Sequence, residues 1–280
     1  RGAGQASNKA PFILRQMLAQ ALNISMSRIL IAPVAVGGDF GGKGTAQTEP
    51  ICVLLAQKSG HPVRLSLSRE EELTSTYLKE ATIMHMKAGV DRDGTLIALQ
   101  ASIIYDSGAY SDIIGGLARS CHDIHGPYRI PHVDLVATRV YTNNTPRGHM
   151  RAPTTPQPFF ALESHLDMVA RKLGMDPIEF RLRNAVDEGD VLPTGQKIMN
   201  PGIKETLRRT REYLKREGGE PKPNEGWGIA SFQYHGVVTD SRGIIKDSRT
   251  ARSSAWIKLN EDGSVVLITG TLEQGCGPVS

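Results

Sequence analysis

The chain has 280 residues, 39% hydrophobic and 22% charged, with a formal net charge of +4. That balance fits a globular fold with a sizeable core and excludes a disordered or fibrous polymer. No apolar run approaches the roughly 18 residues of a membrane-spanning helix, and the three scattered cysteines (Cys52, Cys121, Cys276) form no CxxC pair that could begin a zinc or iron–sulfur site.

The opening "RGAGQASNKAPF" has neither an initiator Met nor an apolar signal region, and the closing "SVVLITGTLEQGCGPVS" stops on a strand pattern, so both ends read as cuts. Unpaired thiols and the lack of an export signal lead to an expectation of a reducing, cytoplasmic compartment. "PFILRQMLAQALN" places Leu14, Leu18 and Leu22, with Met17 alongside, on one helical stripe. "SRILIAPVAV" reads as a strand, and a glycine-rich run follows it. "TEPICVLLAQKSG" then gives a helix with Ile51, Leu54 and Leu55 on one face and Gly60 as its stop. "HPVRLSLS" reads as a short strand. "ATIMHMKAGV" alternates, with Met84, Met86, Ala88 and Val90 on one side, and "DRDGT" folds it onto "LIALQASIIYDSGAY" as a long hairpin.

"HVDLVATRVYTNN" is a further strand, and "PQPFFALESHLDMVARKLG" is a helix ended by Gly174. A second helix opens at "DPIEFRLRNAV", with Asp176 as cap and Pro177 at its first position. "KETLRRTREYLKRE" interleaves acids and bases at helical spacing. This is a solvated face without the aromatic residues of a nucleic-acid surface. "REGGEPKPNEG" reads as a linker. Strands follow in "GWGIASFQYHG" and the hairpin "SAWIKLNEDGSVVLITG", with Trp227 and Trp256 expected in the core. The expected class is α+β, with mixed and largely antiparallel sheets and packed helices, in two subdomains spanning 1–220 and 221–280.

The run "AVGGDFGGKGT" raises the question of what its backbone approaches. Gly37, Gly42 and Lys43 nearly match the phosphate-binding pattern GxxxxGK[ST], but Gly44 stands where the magnesium-holding hydroxyl belongs, and Phe40 is an odd residue to wrap a phosphate. A hairpin-rich sheet also differs from the parallel βαβ units of a phosphate-loop NTPase. A tight glycine turn without a ligand is the plainer alternative.

Other segments accompany the run. "GGDFGGK" resembles the GGGFGGK loop of the molybdenum hydroxylases, the xanthine dehydrogenase and aldehyde oxidase family. "QASNKAPFILRQMLAQALNI" resembles the helix before that loop, and "YRIPHVDLVATRVYTN" the strand entry that carries Tyr128. "MRAPTTPQPFFALESHLDMVARKLGMDPIEFRLRN" resembles the family stretch RGxGxPQxxFAxExxxDxxAxxLGxDPxExRxxN, and "GTLEQGCG" its ExGQG turn. Together they run from about residue 5 to residue 277, nearly the whole chain.

The resemblance implies a molybdenum–molybdopterin cofactor, in its plain or cytosine dinucleotide form, that hydroxylates an aldehyde or N-heterocycle with water. It implies electrons leaving through iron–sulfur and FAD centres on partner domains or subunits, and a homo-oligomeric complex that includes the rest of the molybdopterin-binding subunit. It places Gly38, Phe40 and Gly41 against the cofactor, with the Phe40 and Gly41 amides near the metal, and Arg151 beside it. Glu273, Gly275 and Gly277 correspond to the cofactor-contacting turn, in which Cys276 replaces the family's Gln. Arg119 stands at the spacing of a substrate-facing arginine. Gly44 and Pro153 stand where purine-oxidising members carry a glutamate and a stacking phenylalanine, so xanthine would not be gripped in the usual way. The family's general-base glutamate falls beyond Ser280, which leaves no catalytic residue in this stretch.

The competing class is a fragment that folds but binds no metal, which Cys276 and Gly44 would favour. His122, His125 and His132 are irregularly spaced and are not expected to form a metal site. Asp106 and Asp112 are expected to cap turns.

Overall fold

Helix α1, Pro11–Leu22, begins where Pro11 fixes the first φ and the Asn8 carboxamide accepts the Ala10 N–H at 2.8 Å. It buries Leu14 and Leu18, as their spacing requires, and ends at Asn23 in the left-handed conformation. The computed structural model describes residues 2–110, 120–121, 124–219, 221–232, 255–269, 273, 275 and 277. The chain divides into two compact units: Arg1–Lys79, Asn143–Arg151 and Asp247–Ser280 form one, and Glu80–Thr142 with Ala152–Lys246 the other.

In the first unit β1 (Gly2–Ala6) pairs in parallel with β2 (Ile29–Pro33). The glycine-rich loop follows β2, and α2 (Glu49–Ser59) stops at Gly60, whose φ of 71° lets its N–H reach the Ala56 carbonyl. The helix forms as expected, but Ile51, Leu54 and Leu55 stay exposed. Residues 61–68, expected as a strand, form none, because no strand among the described residues takes up their backbone groups. They lead into α3 (Arg69–Ser75), which opens with a reciprocal cap between Ser68 and Glu71. β6 (Ala255–Leu259) and β7 (Val265–Thr269) form an antiparallel hairpin turned at Gly263. Trp256 is 75% exposed on it. Trp227, in the second unit, is 60% exposed, so neither tryptophan is the core residue expected. Both faces of the hairpin are exposed, with no second layer over it among the described residues.

The second unit holds a three-stranded sheet in the order β3 (Thr82–Val90), β4 (Leu96–Asp106), β5 (His132–Val140). The "DRDGT" turn joins β3 and β4 as expected, with Gly94 at φ 88°. β5 lies parallel to β4, as the long connection between Asp106 and His132 allows. The sheets are therefore mixed, two pairings parallel and two antiparallel among the named strands. The predicted alternation holds: Met84, Met86, Ala88 and Val90 face the buried cluster of Leu96, Leu99, Tyr128, Leu162, Leu166 and Phe180 or the adjoining one around Tyr105.

Leu162 and Leu166 come from α4 (Pro156–Lys172), whose chain then turns at Gly174. α5 (Pro177–Asn184) starts on the Asp176 carboxylate, which accepts the N–H groups of Ile178 and Glu179, both at 2.9 Å. α6 (Ile203–Tyr213) buries only Leu207 and keeps most of its charged residues in solvent, Lys204 being half-buried against Asp187. Each leucine buried completely here contributes about 1.5–3 kcal/mol.

Candidate functional site

Backbone conformation decides which residues the loop after β2 can contain. Gly37, Gly38 and Gly41 have φ values of 69°, 103° and 129°, where a side chain is strained. Open space surrounds Gly37, whereas a Cβ on Gly41 would lie 2.1 Å from the His149 carbonyl oxygen. That close approach docks the loop on residues 147–151. Arg151 donates its N–H to the Phe40 carbonyl at 2.6 Å, the Lys79 ammonium reaches the Arg151 carbonyl at 2.9 Å, and Gly148 donates to the Leu78 carbonyl at 3.0 Å. Gly148 allows no side chain either, since a Cβ there would meet the Tyr77 Cβ at 2.2 Å.

Inside the loop Asp39 replaces a glycine of the GGGFGGK pattern, and its carboxylate organises the turn from residue 39 to residue 43. Oδ1 accepts the N–H groups of Gly41 at 2.7 Å and Lys43 at 3.0 Å, while Oδ2 lies 2.8 Å from the Lys9 ammonium. Burial pushes this carboxyl up, but the Lys9 hydrogen bond and the two amides outweigh it and hold the group below the usual carboxylate range. A carboxylate so engaged is a brace and not a proton shuttle near neutral pH. The Lys9 N–H donates to the Lys43 carbonyl at 2.8 Å, Asn8 donates to the Thr45 carbonyl at 3.2 Å, and the Lys43 ammonium bonds the Val36 carbonyl. Gln47 closes the turn by donating to the Gly42 carbonyl at 2.5 Å.

Phe40 projects outward, 62% exposed. The N–H groups of Phe40 and Gly42 have no protein partner among the described residues, and the exposed Arg151 guanidinium has none either. Glu273 accepts the Gly275 and Gly277 N–H groups at 2.5 and 3.1 Å, and a Cβ on Gly275 would sit 3.6 Å from the Gly38 Cα. The fold thus brings together two glycine turns that are 237 positions apart in sequence (275 − 38). A phosphate-binding NTPase loop would run straight into a helix, whereas α2 begins only at Glu49 and Lys43 is spent on a carbonyl.

Of the residues singled out in the sequence, Gly38, Phe40, Gly41, Gly44, Arg151, Glu273, Gly275 and Gly277 all belong to the first unit. Gly44 lies over the Lys9 stem, a Cβ there falling 3.0 Å from the Lys9 Cε. Pro153 belongs to the second unit, between Ala152 and Thr154 at φ values of 54° and 63°. Those two stand where the family pattern RGxGxPQ has glycines, so this chain holds side chains in a conformation that suits glycine.

Arg119, Asp112, His122 and Cys276 lie outside the described residues. His125 is buried with Nδ1 2.7 Å from the Gly126 carbonyl oxygen, His132 is exposed at the start of β5, and Asp106 accepts the Gly108 N–H at 2.9 Å as a turn cap. Sequence reasoning missed Lys9, Asp39 and His149. Asp39 was visible as a departure from the glycine pattern, but neither partner carries a local mark.

The molybdopterin cofactor-binding domain family matches residues 4–185. A putative xanthine dehydrogenase molybdenum-binding subunit of Escherichia coli K12 is 34% identical over 283 residues, covering 97% of this chain and 37% of the relative. The nicotinate dehydrogenase large molybdopterin subunit of Eubacterium barkeri is 36% identical over 208 residues, covering 74% of this chain and 49% of the relative. Among solved structures, quinoline 2-oxidoreductase of Pseudomonas putida 86 superposes with a TM-score of 0.80 at 26% identity, over 98% of this chain and 37% of its own. The chain spans between about a third and a half of the curated relatives named here. It belongs to the molybdopterin cofactor-binding family of xanthine dehydrogenase and aldehyde oxidoreductase molybdenum subunits.

Proposed function

We propose that this chain forms the cofactor-facing part of a molybdenum hydroxylase. In this proposal the enzyme oxidises an aldehyde or N-heterocycle with water as oxygen source and passes electrons to iron–sulfur and FAD centres on partner domains or subunits. The observation that carries it is the glycine loop held against residues 147–151, with the Gly275 turn beside Gly38. Positive-φ glycines, N–H groups at Phe40 and Gly42 and an Arg151 guanidinium that have no partner among the described residues suit an anionic, oxygen-rich group. The residues therefore fit a molybdenum–molybdopterin, which supplies the redox chemistry when bound.

Phe40 would wall the metal side and Arg151 would offset charge. Gly38, Gly41, Gly275 and Gly277 would allow close approach, and Glu273 would shape the turn. Glu273 is occupied by two amides and is not assigned as the base, which the family resemblance puts after Ser280. Arg119 stays a proposed substrate residue on the strength of its spacing alone.

Relatives bear the names of xanthine, nicotinate, quinoline and aldehyde enzymes. Gly44 and Pro153 remove two purine contacts of the family, which directs the proposal toward other heterocycles and aldehydes. The cytosine dinucleotide form of the cofactor, the subdomain boundary near residue 220, a homo-oligomeric complex and cytoplasmic residence belong to the same proposal. No described helix is long and apolar enough to cross a membrane.

Elemental mass spectrometry of the gene product, expressed with its neighbouring genes, tests the proposal. Near one molybdenum per chain supports it and justifies assays on purine, nicotinate and aldehyde panels. No molybdenum, where a characterised relative loads normally, overturns it in favour of a metal-free protein.

A further inference from the structure

Asp39 intrudes where the family loop has glycine, and it takes the Gly41 N–H that the resemblance would direct at the cofactor. The same oxygen takes the Lys43 N–H, so the turn from residue 39 to residue 43 closes on its own carboxylate. The N–H groups of Phe40, just before Gly41, and of Gly42, between the two, are left without a protein partner among the described residues. Lys9 secures the arrangement twice, through its ammonium on Oδ2 and its N–H on the Lys43 carbonyl. The Asp39 side chain is fully enclosed while that of Lys9 is 35% exposed, and Lys9, two residues before α1, is the carboxylate's one cationic partner among the described residues. Gly44 leaves room for it: a Cβ there would lie 3.0 Å from the Lys9 Cε.

We propose that Lys9 and Asp39 are positioning residues for the bound cofactor, a pair that occupies the Gly41 amide and fixes the Phe40 and Gly42 N–H groups as the donors this turn offers. The inference rests on the functional proposal above. The two residues touch no reacting atom. They set the direction of backbone groups, and ion pairs made to an enclosed carboxylate hold geometry better than exposed ones.

The test uses the gene product expressed with its neighbouring subunits, as wild type, Lys9→Met, Lys9→Arg, Asp39→Gly and the Lys9→Met/Asp39→Gly double variant. Molybdenum content, melting temperature without cofactor and the electron paramagnetic resonance signal of the half-reduced metal are read in each. The expected result is metal in all five, with one altered resonance signal shared by Lys9→Met, Asp39→Gly and the double variant. Lys9→Arg keeps the wild-type signal. Amide exchange at Gly41 should quicken about tenfold on Asp39→Gly, the factor for losing one hydrogen bond of net ~1.4 kcal/mol.

Loss of metal in Lys9→Met, with unchanged melting and retention in Lys9→Arg, also supports the pair. Wild-type resonance signals in Lys9→Met and Asp39→Gly overturn the inference while the functional proposal stands, and so does metal loss that accompanies lowered melting. A wild-type protein without molybdenum overturns both.

Discussion

Gly41→Ala should be far more damaging than Gly37→Ala, although both replace a loop glycine at positive φ. At Gly37 an added Cβ meets nothing within 4 Å, so the cost is the left-handed conformation alone, about 1–2 kcal/mol. At Gly41 the conformational strain at φ 129° is about 1–3 kcal/mol, and the Cβ would also lie 2.1 Å from the His149 oxygen and 2.5 Å from its carbonyl carbon. Neither atom belongs to a flexible side chain, so relief requires the two backbone segments to part.

Parting them breaks the Arg151 N–H to Phe40 carbonyl bond, worth about 1 kcal/mol net, and forfeits the packing around it. With about 1–3 kcal/mol for the overpacked contact, the sum for Gly41→Ala is about 3–7 kcal/mol, local to the first unit. Hydrogen exchange of the Arg151 amide reads this directly. It should rise at least about a hundredfold in Gly41→Ala and about thirtyfold or less in Gly37→Ala. Equal exchange in the two variants would refute the claim that the loop is docked through Gly41.

Two further outcomes concern the second unit. Arg181→Met removes the partner of Glu163 at 2.8 Å and of Asp167 at 2.7 Å and leaves Glu163 charged and buried, so urea unfolding should show a loss of about 3–5 kcal/mol; a loss below about 1 kcal/mol would contradict the pairing. Burial pushes the Tyr105 phenol up to about 12, with the nearby Glu80 charge adding and the Ser120 hydrogen bond opposing. The folded state therefore holds this proton more tightly than the unfolded chain: the contribution is complete below about pH 10, and about 3 kcal/mol is lost as pH rises through 12. Unfolding followed from pH 9 to 12 should lose that slope in Tyr105→Phe, and an unchanged slope would exclude Tyr105 as its source.

Much of the fold was legible because its determinants are local. The leucine stripe and Pro11 specify α1, the Asp–Gly turn specifies the β3–β4 hairpin, and Asp176 with Pro177 specifies the start of α5. Residues 61–68 and the two tryptophans were misread for one shared reason. Alternation and aromatic content say that a segment suits a sheet or a core, but whether a partner covers it depends on distant chain. The site divides in the same way. Gly38, Gly41 and Arg151 were visible through a motif, whereas the Lys9–Asp39 brace joins positions 30 residues apart and neither residue is marked by its neighbours.

Arg151 apart, the stretch that most specifically marks the family lies outside the candidate site. Its Glu163 accepts Arg181 at 2.8 Å, the Tyr128 hydroxyl at 2.7 Å and the Ser231 N–H at 2.9 Å. Its Asn184 ties the second unit's turn and helix together by accepting the Leu96 N–H at 2.7 Å and donating to the Gly94 carbonyl at 2.8 Å and the Phe180 carbonyl at 2.9 Å. These are buried polar groups, each satisfied, and an unsatisfied one would cost about 1–3 kcal/mol, which is reason enough for such a pattern to persist in any protein that keeps this fold. Identity over that stretch therefore speaks for shared architecture. In the functional proposal, the use this protein makes of a cofactor would depend on the loop from Gly37 to Gly44 and on Arg151, where the chain departs from the glycine pattern with Asp39.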